Sequence, residues 1–321
     1  MREEPMKDKI CLITGATAGI GRAAALQLSQ LGANLVLVAR NPRKAESTVQ
    51  QIRQQTGNQE LEILLADLSS QQEVRLLAEE FKARYQRLDV LINNAGLLMT
   101  SRQESRDGIE MTFALNHLSY FLLTNLLLDV LKASSPSRIV NVSSDSHQQA
   151  NLDFGDLQYR GRYRGFQAYG RSKLANLLFT YELARRLEGT GVTVNSLHPG
   201  LVATNFLANN GFRGRAMNLF VRLLGRSPEK GARTITYLAS STDVEGVTGQ
   251  YFVDEGLVAS SPASHDRDDA LRLWRESEEL TGLATSPSEI DAPVEPIGPE
   301  SVELPGSPDR TESEPSHTSD S

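Results

Sequence analysis

A doubly wound α/β fold, one parallel sheet with helices on both faces, is what this 321-residue sequence predicts. Three observations carry that prediction. Short, nearly continuous apolar runs recur along most of the chain, as in strands buried on both faces of a parallel sheet. Longer amphipathic stretches separate them, and regular strand–helix alternation implies right-handed βαβ units. The composition, 39% hydrophobic and 23% charged, is that of a globular domain.

Taken in order, strands are expected at Lys9–Thr14, Asn34–Ala39, Leu61–Ala66, Leu88–Asn93, Arg138–Ser143, Val192–Leu197 and Tyr251–Val253. Helices are expected at Ile20–Leu31, Arg43–Gln55, Gln71–Tyr85, Gly108–Lys132, Gln167–Leu187 and Glu229–Ala239, where apolar residues fall at helical spacing. Asp67-Leu68-Ser69-Ser70 offers N-caps for the third helix. Asp266–Leu280 reads as a further helix anchored by Leu271, Trp274 and Leu280. Two segments break the rhythm. Asp145 to Ala168 is polar and rich in Arg and Gly, a long surface excursion. Ala203 to Pro228 is less regular but carries Phe206, Leu207, Met217 and Phe220, which suggests a lid over an apolar pocket.

Charge and composition divide the chain at one point. From Thr285 to Ser321 there are nine acidic residues against Arg310 alone, so the net charge of −7 resides in this tail and the body is near +1. Seven prolines and no aromatic residue in the tail leave little surface to bury, so disorder is expected there. The expected organisation is a domain over residues 1–284 and an acidic, Pro/Ser-rich tail over 285–321. A near-neutral body gives no electrostatic footprint for nucleic acid. The single cysteine, Cys11, rules out an internal disulfide and sits in an apolar strand. Met1 to Lys9 is polar and no apolar run reaches the roughly 20 residues that span a bilayer, so a soluble, cytoplasmic protein without an integral membrane segment is expected. No metal site is expected.

The chemistry begins after the first strand, in Thr14-Gly15-Ala16-Thr17-Ala18-Gly19-Ile20-Gly21-Arg22. Glycines at a strand-to-helix turn let the backbone approach a pyrophosphate, whose charge is stabilised at the helix N-terminus. The second strand ends in Val38-Ala39-Arg40. Dinucleotide folds that select NAD place an acid in this neighbourhood; here Arg40 stands instead, with Arg22 as a possible partner, which favours the 2′-phosphate of NADP. Tyr169 and Lys173, four apart near the start of a long helix, share one face. A cation beside a phenol lowers its pKa and makes it a usable general acid or base.

These features, together with Asp67-Leu68, Asn93-Asn94-Ala95-Gly96, Leu115-Asn116-His117, Asn141-Val142-Ser143-Ser144 and His198-Pro199-Gly200, occur in the order found in one family. Over roughly Lys7 to Leu283 the chain resembles the short-chain dehydrogenase/reductase superfamily, and within it the retinol-dehydrogenase-like branch. The resemblance implies a Rossmann-type domain, NADP(H) as cofactor, and oxidoreduction of an alcohol–carbonyl pair; the apolar segment Ala203 to Pro228 points to a lipophilic small-molecule substrate. The resemblance also implies a tetrad in which Tyr169 exchanges a proton with the substrate oxygen and Lys173 binds the nicotinamide ribose and lowers the tyrosine pKa. Ser144 would hydrogen-bond the substrate oxygen, and Asn116 would hold a water in a proton relay. Cofactor contacts are implied at Thr14, Gly15, Thr17, Gly19, Ile20, Gly21, Arg22, Arg40, Asp67, Leu68, Asn93, Ala95 and Gly96. Pro199, Gly200, Val202 and Thr204 would cover the nicotinamide. His117 and His198 are implied to be structural. Ser144 and Tyr169 lie 25 residues apart, about twice the separation in many members, and that spacing matches the branch. Members often form homodimers through the helices corresponding to Gly108–Lys132 and Gln167–Leu187.

Two other readings use some of the same residues. A catalytically silent NADP-binding protein acting through partners would be expected to have lost Tyr169 or Lys173, and both are present. A sugar-nucleotide epimerase shares Tyr-x3-Lys but resembles a different glycine spacing and carries a larger C-terminal substrate domain.

Overall fold

Eight strands form one sheet in the order β3-β2-β1-β4-β5-β6-β7-β8. The strands are β1 Ile10–Thr14, β2 Asn34–Ala39, β3 Leu61–Leu65, β4 Val90–Asn93, β5 Ser137–Val142, β6 Val192–His198, β7 Tyr251–Val253 and β8 Gly256–Leu257. All neighbouring pairs are parallel except β7 and β8. This is a computed structural model, and it describes residues 4–202 and 226–283. The expected lid, with Thr204, falls largely on residues 203–225, and the acidic tail begins at Thr285; both lie outside the described residues.

Long helices cover both faces. On one, α1 (Gly19–Gln30) packs against α8 (Pro228–Ser240), with α2 (Pro42–Thr56) beside α1. On the other, α3 (Gln71–Arg84) packs on α5 (Ser119–Leu126), and α7 (Gly165–Arg186) on α9 (Arg267–Thr281). Leu12, Val36, Leu91 and Ile139 turn toward the second layer, whereas Cys11, Leu37, Ile92 and Val140 turn toward the first. Alternation along each strand sends its apolar side chains to both layers, which is why the strands read as unbroken apolar runs.

Most predicted elements are present with ends shifted by one or two residues. β4 begins at Val90 because the Leu88 amide donates to Ser134 Oγ, at 2.9 Å, instead of to a strand. β3 departs from the expectation of burial on both faces: it is the edge strand, and Leu65 at its end is 49% exposed. The Gly108–Lys132 helix is broken. Glu110 caps its start by accepting from the Thr112 and Phe113 amides, a π-helical turn occupies Ala114–Leu118, and Leu127 separates α5 from α6 (Leu128–Ala133). Strand β8 was not expected, since two residues are too few for a period. It forms because Asp254 and Glu255 both adopt positive φ, 50° and 69°, and so close a hairpin.

The excursion from Asp145 to Ala168 is not a solvated loop. It opens with a 3₁₀ turn over Asp145–Gln149, packs Phe154 and Leu157 against the α7–α9 cluster, and buries Tyr159.

Candidate active site

The carboxyl ends of the parallel strands open into one cavity of about 1110 Å³, at the position where open α/β sheets bind ligands. One half of its wall is mostly main chain. After β1, Gly15 takes φ +68° and Gly19 takes φ +52°. A Cβ on Gly15 would sit 2.9 Å from Ala95 Cα, and one on Gly21 would sit 2.4 Å from Gly15 O. The turn is therefore pressed onto the end of β4 and admits only glycine at these points. Ala18 at the N-cap of α1 supplies no side-chain hydrogen bond, and the first turn holds no acid. The opening amides of α1 thus face the cavity with their donors and positive dipole end directed at an anion. This cradle fits a pyrophosphate.

Thr17, Gly19, Ile20, Gly21, Arg40, Asp67, Leu68, Ala95 and Gly96 all line this half. Thr14 and Asn93 lie behind it. Thr14 Oγ1 accepts from the Asn94 and Ala95 amides at 2.8 and 3.0 Å, tying β1 to β4. Asn93 Nδ2 bridges Thr124 Oγ1 and Asn141 Oδ1, each at 2.9 Å, beneath the wall. Arg22 is turned away: its exposed guanidinium donates to Gln51 Oε1 at 2.9 Å, so it does not partner Arg40. Arg40 has an acid near it after all, contributed by the end of β3. Asp67 Oδ2 is 3.6 Å away, while 68% of the arginine side chain stays exposed. Burial raises the Asp67 carboxyl, but hydrogen bonds from Ser69 and the Arg40 charge outweigh this and hold it below its ordinary value.

The other half is mostly side chain. Ser144 at the end of β5 and Tyr169 and Lys173 on α7 meet here. The tyrosine is hydrogen-bonded to the Ser144 hydroxyl, and Lys173 Nζ lies 5.6 Å from the Tyr169 ring centre. Adjacent Ser143 is turned into the protein, donating to Lys173 O at 2.8 Å, as strand alternation requires. Lys173 Nζ donates to Val142 O at 2.9 Å and is 3% exposed. Burial lowers its pKa to about 7. Burial also raises Tyr169, to about 12, with only the Ser144 bond opposing. Desolvation thus works against the lowering of the tyrosine pKa that a neighbouring lysine would give, because it disfavours the charged form of both groups.

Asn116 stands one layer back, in the π-helical turn. Its Nδ2 donates to Leu97 O and Ser172 Oγ, at 2.9 and 3.0 Å, and its Oδ1 accepts from the Leu97 amide at 2.8 Å. It braces the end of β4 against α7. Gly96 leaves the gap beside it: a Cβ there would lie 3.3 Å from Asn116 Oδ1 and 3.7 Å from Lys173 Nζ. His117 is wholly buried, bonded through Nε2 to Ser277 Oγ at 2.9 Å, and burial lowers its pKa to about 3. It is structural. Pro199, Gly200 and Val202 line the cavity beyond β6.

Sequence reasoning missed the contribution of the excursion. Gln148, Gln149, Tyr159, Phe166 and Gln167 all line this half, and Arg171 lies over the Tyr159 ring at 4.2 Å. The signal available was Leu152, Phe154, Leu157, Phe166 and two tyrosines in an otherwise polar stretch. Phe166 and Leu201 are each 59% exposed at the cavity wall. Among the described residues, no helix is long and apolar enough to cross a membrane, and no group of acidic, His or Cys side chains could hold a metal ion.

The short chain dehydrogenase family model matches residues 9–212. Retinol dehydrogenase 13 of Homo sapiens is 42% identical over 292 residues, covering 89% of this chain and 88% of that protein. An uncharacterized protein from Mycobacterium paratuberculosis superposes with a TM-score of 0.70 at 31% identity, covering 86% of this chain and 94% of its own. A short chain dehydrogenase from Shigella flexneri 2a, solved with NADP, gives 0.65 at 26% identity, covering 79% of this chain and all of its own.

Proposed function

The chain belongs to the short-chain dehydrogenase family, in its retinol-dehydrogenase-like branch, and from that premise we propose an NADP(H)-dependent enzyme for lipophilic aldehydes or ketones and their alcohols. One observation carries the reading. Ser144, Tyr169 and Lys173 converge on one wall of a cavity whose opposite end is an uncapped helix start on a glycine turn.

The bound cofactor supplies the hydride that a carbonyl carbon receives. The remaining tasks belong to the protein. The α1 amides and Gly15 to Gly21 would hold the pyrophosphate, and Asp67 and Leu68 would contact the adenine. Arg40 offers its exposed guanidinium to a 2′-phosphate, and the Shigella relative was solved with NADP. Ser144 hydrogen-bonds the carbonyl oxygen and keeps it beside the Tyr169 hydroxyl. Tyr169 gives that oxygen its proton as negative charge develops there. A phenol held protonated by burial is the state that reduction uses. Lys173 would donate to the ribose hydroxyls, and Asn116 positions the floor beneath both.

Phe166 and Leu201 at the cavity wall support an apolar substrate, and the human relative is named for an alcohol, retinol. The test is a series of straight-chain aldehydes followed by NADPH absorbance. kcat/KM is expected to rise up to about fourfold per methylene until the pocket is full. Tyr169→Phe, which removes only the hydroxyl, is expected to lower kcat at least ~10²-fold while cofactor binding persists. A flat series removes the lipophilic substrate; near-normal turnover by a folded Tyr169→Phe protein removes the mechanism.

A further inference from the structure

Ser144 does its work only if its side chain is aimed, and the peptide units around it decide the aim. One residue back on the strand side, the Ser143 amide donates to Leu197 O at 2.8 Å. The Ser144–Asp145 peptide, on the other side, lies between two imidazoles. His147 Nδ1 is 2.7 Å from the Ser144 carbonyl oxygen, and the Asp145 amide donates to His198 Nδ1 at 3.2 Å. We propose that His147 and His198 are positioning residues whose neutral rings grip this one peptide at both ends and so hold the Ser144 hydroxyl toward Tyr169. The proposal rests on the reading of Ser144 given above.

The hydrogen bonds assign each ring one protonation state. A carbonyl can only accept, so His147 carries its proton on Nδ1. Its Nε2 accepts the Ser261 amide at 3.1 Å, which a protonated nitrogen could not do. His147 is thus a neutral Nδ1–H tautomer, wholly buried and edge-on to Tyr251 at 5.1 Å. His198 accepts at Nδ1, so in its neutral form the proton is on Nε2. Protonating His198 turns the acceptor of the Asp145 amide into a donor facing an N–H, and that end of the grip is lost; protonating His147 does the same to the acceptor of the Ser261 amide, so the ring keeps its bond to the Ser144 carbonyl but loses its own anchor. Ser144 would then be free to leave its extended conformation, φ −163° and ψ 154°.

The surroundings favour the neutral pair. Burial lowers His147 below its ordinary value against the opposing pull of the Ser144 carbonyl and Asp145. Burial likewise lowers His198; Asp145 and Asp254 oppose it, while Arg226 and His147 assist. Because Ser261 follows β8, the grip also ties Ser144 to the C-terminal part of the domain.

Two measurements test this. Nitrogen-15 spectra of the imidazole rings in the full chain, without ligand, should show His147 as the neutral Nδ1–H tautomer and His198 as the neutral Nε2–H tautomer at pH 7. A charged ring, or the opposite tautomer at either position, overturns the proposal whatever the enzyme's activity. Kinetics supply the second readout. His147→Leu and His198→Leu should each lower kcat about three- to tenfold, the loss of one hydrogen bond, with little change in cofactor Kd. His147→Asn keeps a donor and His198→Asn keeps an acceptor, so each should recover part of that loss. The double Asn variant should move the acid limb of kcat to lower pH. Folded Leu variants with undiminished kcat, or an acid limb unmoved in the double Asn protein, also overturn it. Should Ser144→Ala turn over normally, the catalytic reading fails, while the ring spectra still decide the grip.

Discussion

The two halves of the cavity are built from different materials. The cofactor half is a backbone surface: Gly15 and Gly21 press a turn onto the end of β4, and the donors are amides of α1. The substrate half is a side-chain surface, assembled from the end of β5, the first turns of α7 and an excursion that returns Tyr159 and Phe166 to the wall. A backbone surface tolerates almost no added atom and is common to every molecule that needs a pyrophosphate cradle. A side-chain surface can be revised one residue at a time. Substitutions should therefore damage folding and cofactor binding together in the first half, and change catalysis or substrate range with little cost to folding in the second.

The sharpest break of that contrast would come from Gly21→Ala. Its new methyl group meets Gly15 O at 2.4 Å, and main chain cannot step aside cheaply. A destabilisation of up to about 3 kcal/mol in urea unfolding is expected, with loss of NADPH binding. A variant as stable as the parent, with intact cofactor affinity, would show that the cradle is not tight.

Next in size is the pH dependence of Lys173. Its folded pKa, about 7, lies below its unfolded value of 10.5, so between those values the unfolded chain binds more protons than the folded one. Stability contributed by this residue therefore rises with pH through that window. The difference in unfolding free energy between the parent and Lys173→Met should grow by up to about 2 kcal/mol from pH 7 to 9. A difference that stays flat would mean that the buried amine remains charged. Tyr169, raised from 10 toward 12, affects only the range above pH 10 and leaves this window alone.

Arg40→Asp tests the edge of the backbone half where a side chain does select. Losing one charge-assisted contact and adding a like charge should shift the ratio of kcat/KM for NADPH over NADH by about 1.5–3 kcal/mol toward NADH. An unchanged ratio would leave Arg40 as the partner of Asp67 and no more. The smallest effect is expected on the substrate wall. Phe166→Ala removes a ring that is already 59% exposed, so stability should change by no more than about 0.5 kcal/mol. Long aldehydes should lose up to about fivefold in kcat/KM while short ones are unaffected. A large fall in melting temperature would recast Phe166 as part of the core.

The contrast also accounts for what was legible in the amino-acid order. Everything carried by local period and local turn chemistry could be read there. The apolar runs, the glycine turn and the Tyr169–Lys173 pair on one helical face all depend on residues close together along the chain. Long helices fared less well where a single buried carboxylate intervened: Glu110 starts a helix that periodicity placed earlier, and the π-helical turn that carries Asn116 leaves no mark in composition.

Only the tertiary structure decided the relations between distant segments. It turned Arg22 to Gln51 and brought Asp67 to Arg40, because strand order puts β3 beside β2. It folded a polar excursion over the cavity and set two histidines, 51 residues apart, on one peptide bond. It also set burial against the expected electrostatics of Tyr169 and Lys173. Side-chain spacing gives the attraction between a cation and a phenol, but the cost of removing both from water depends on how completely the rest of the chain surrounds them, and here that cost is the larger.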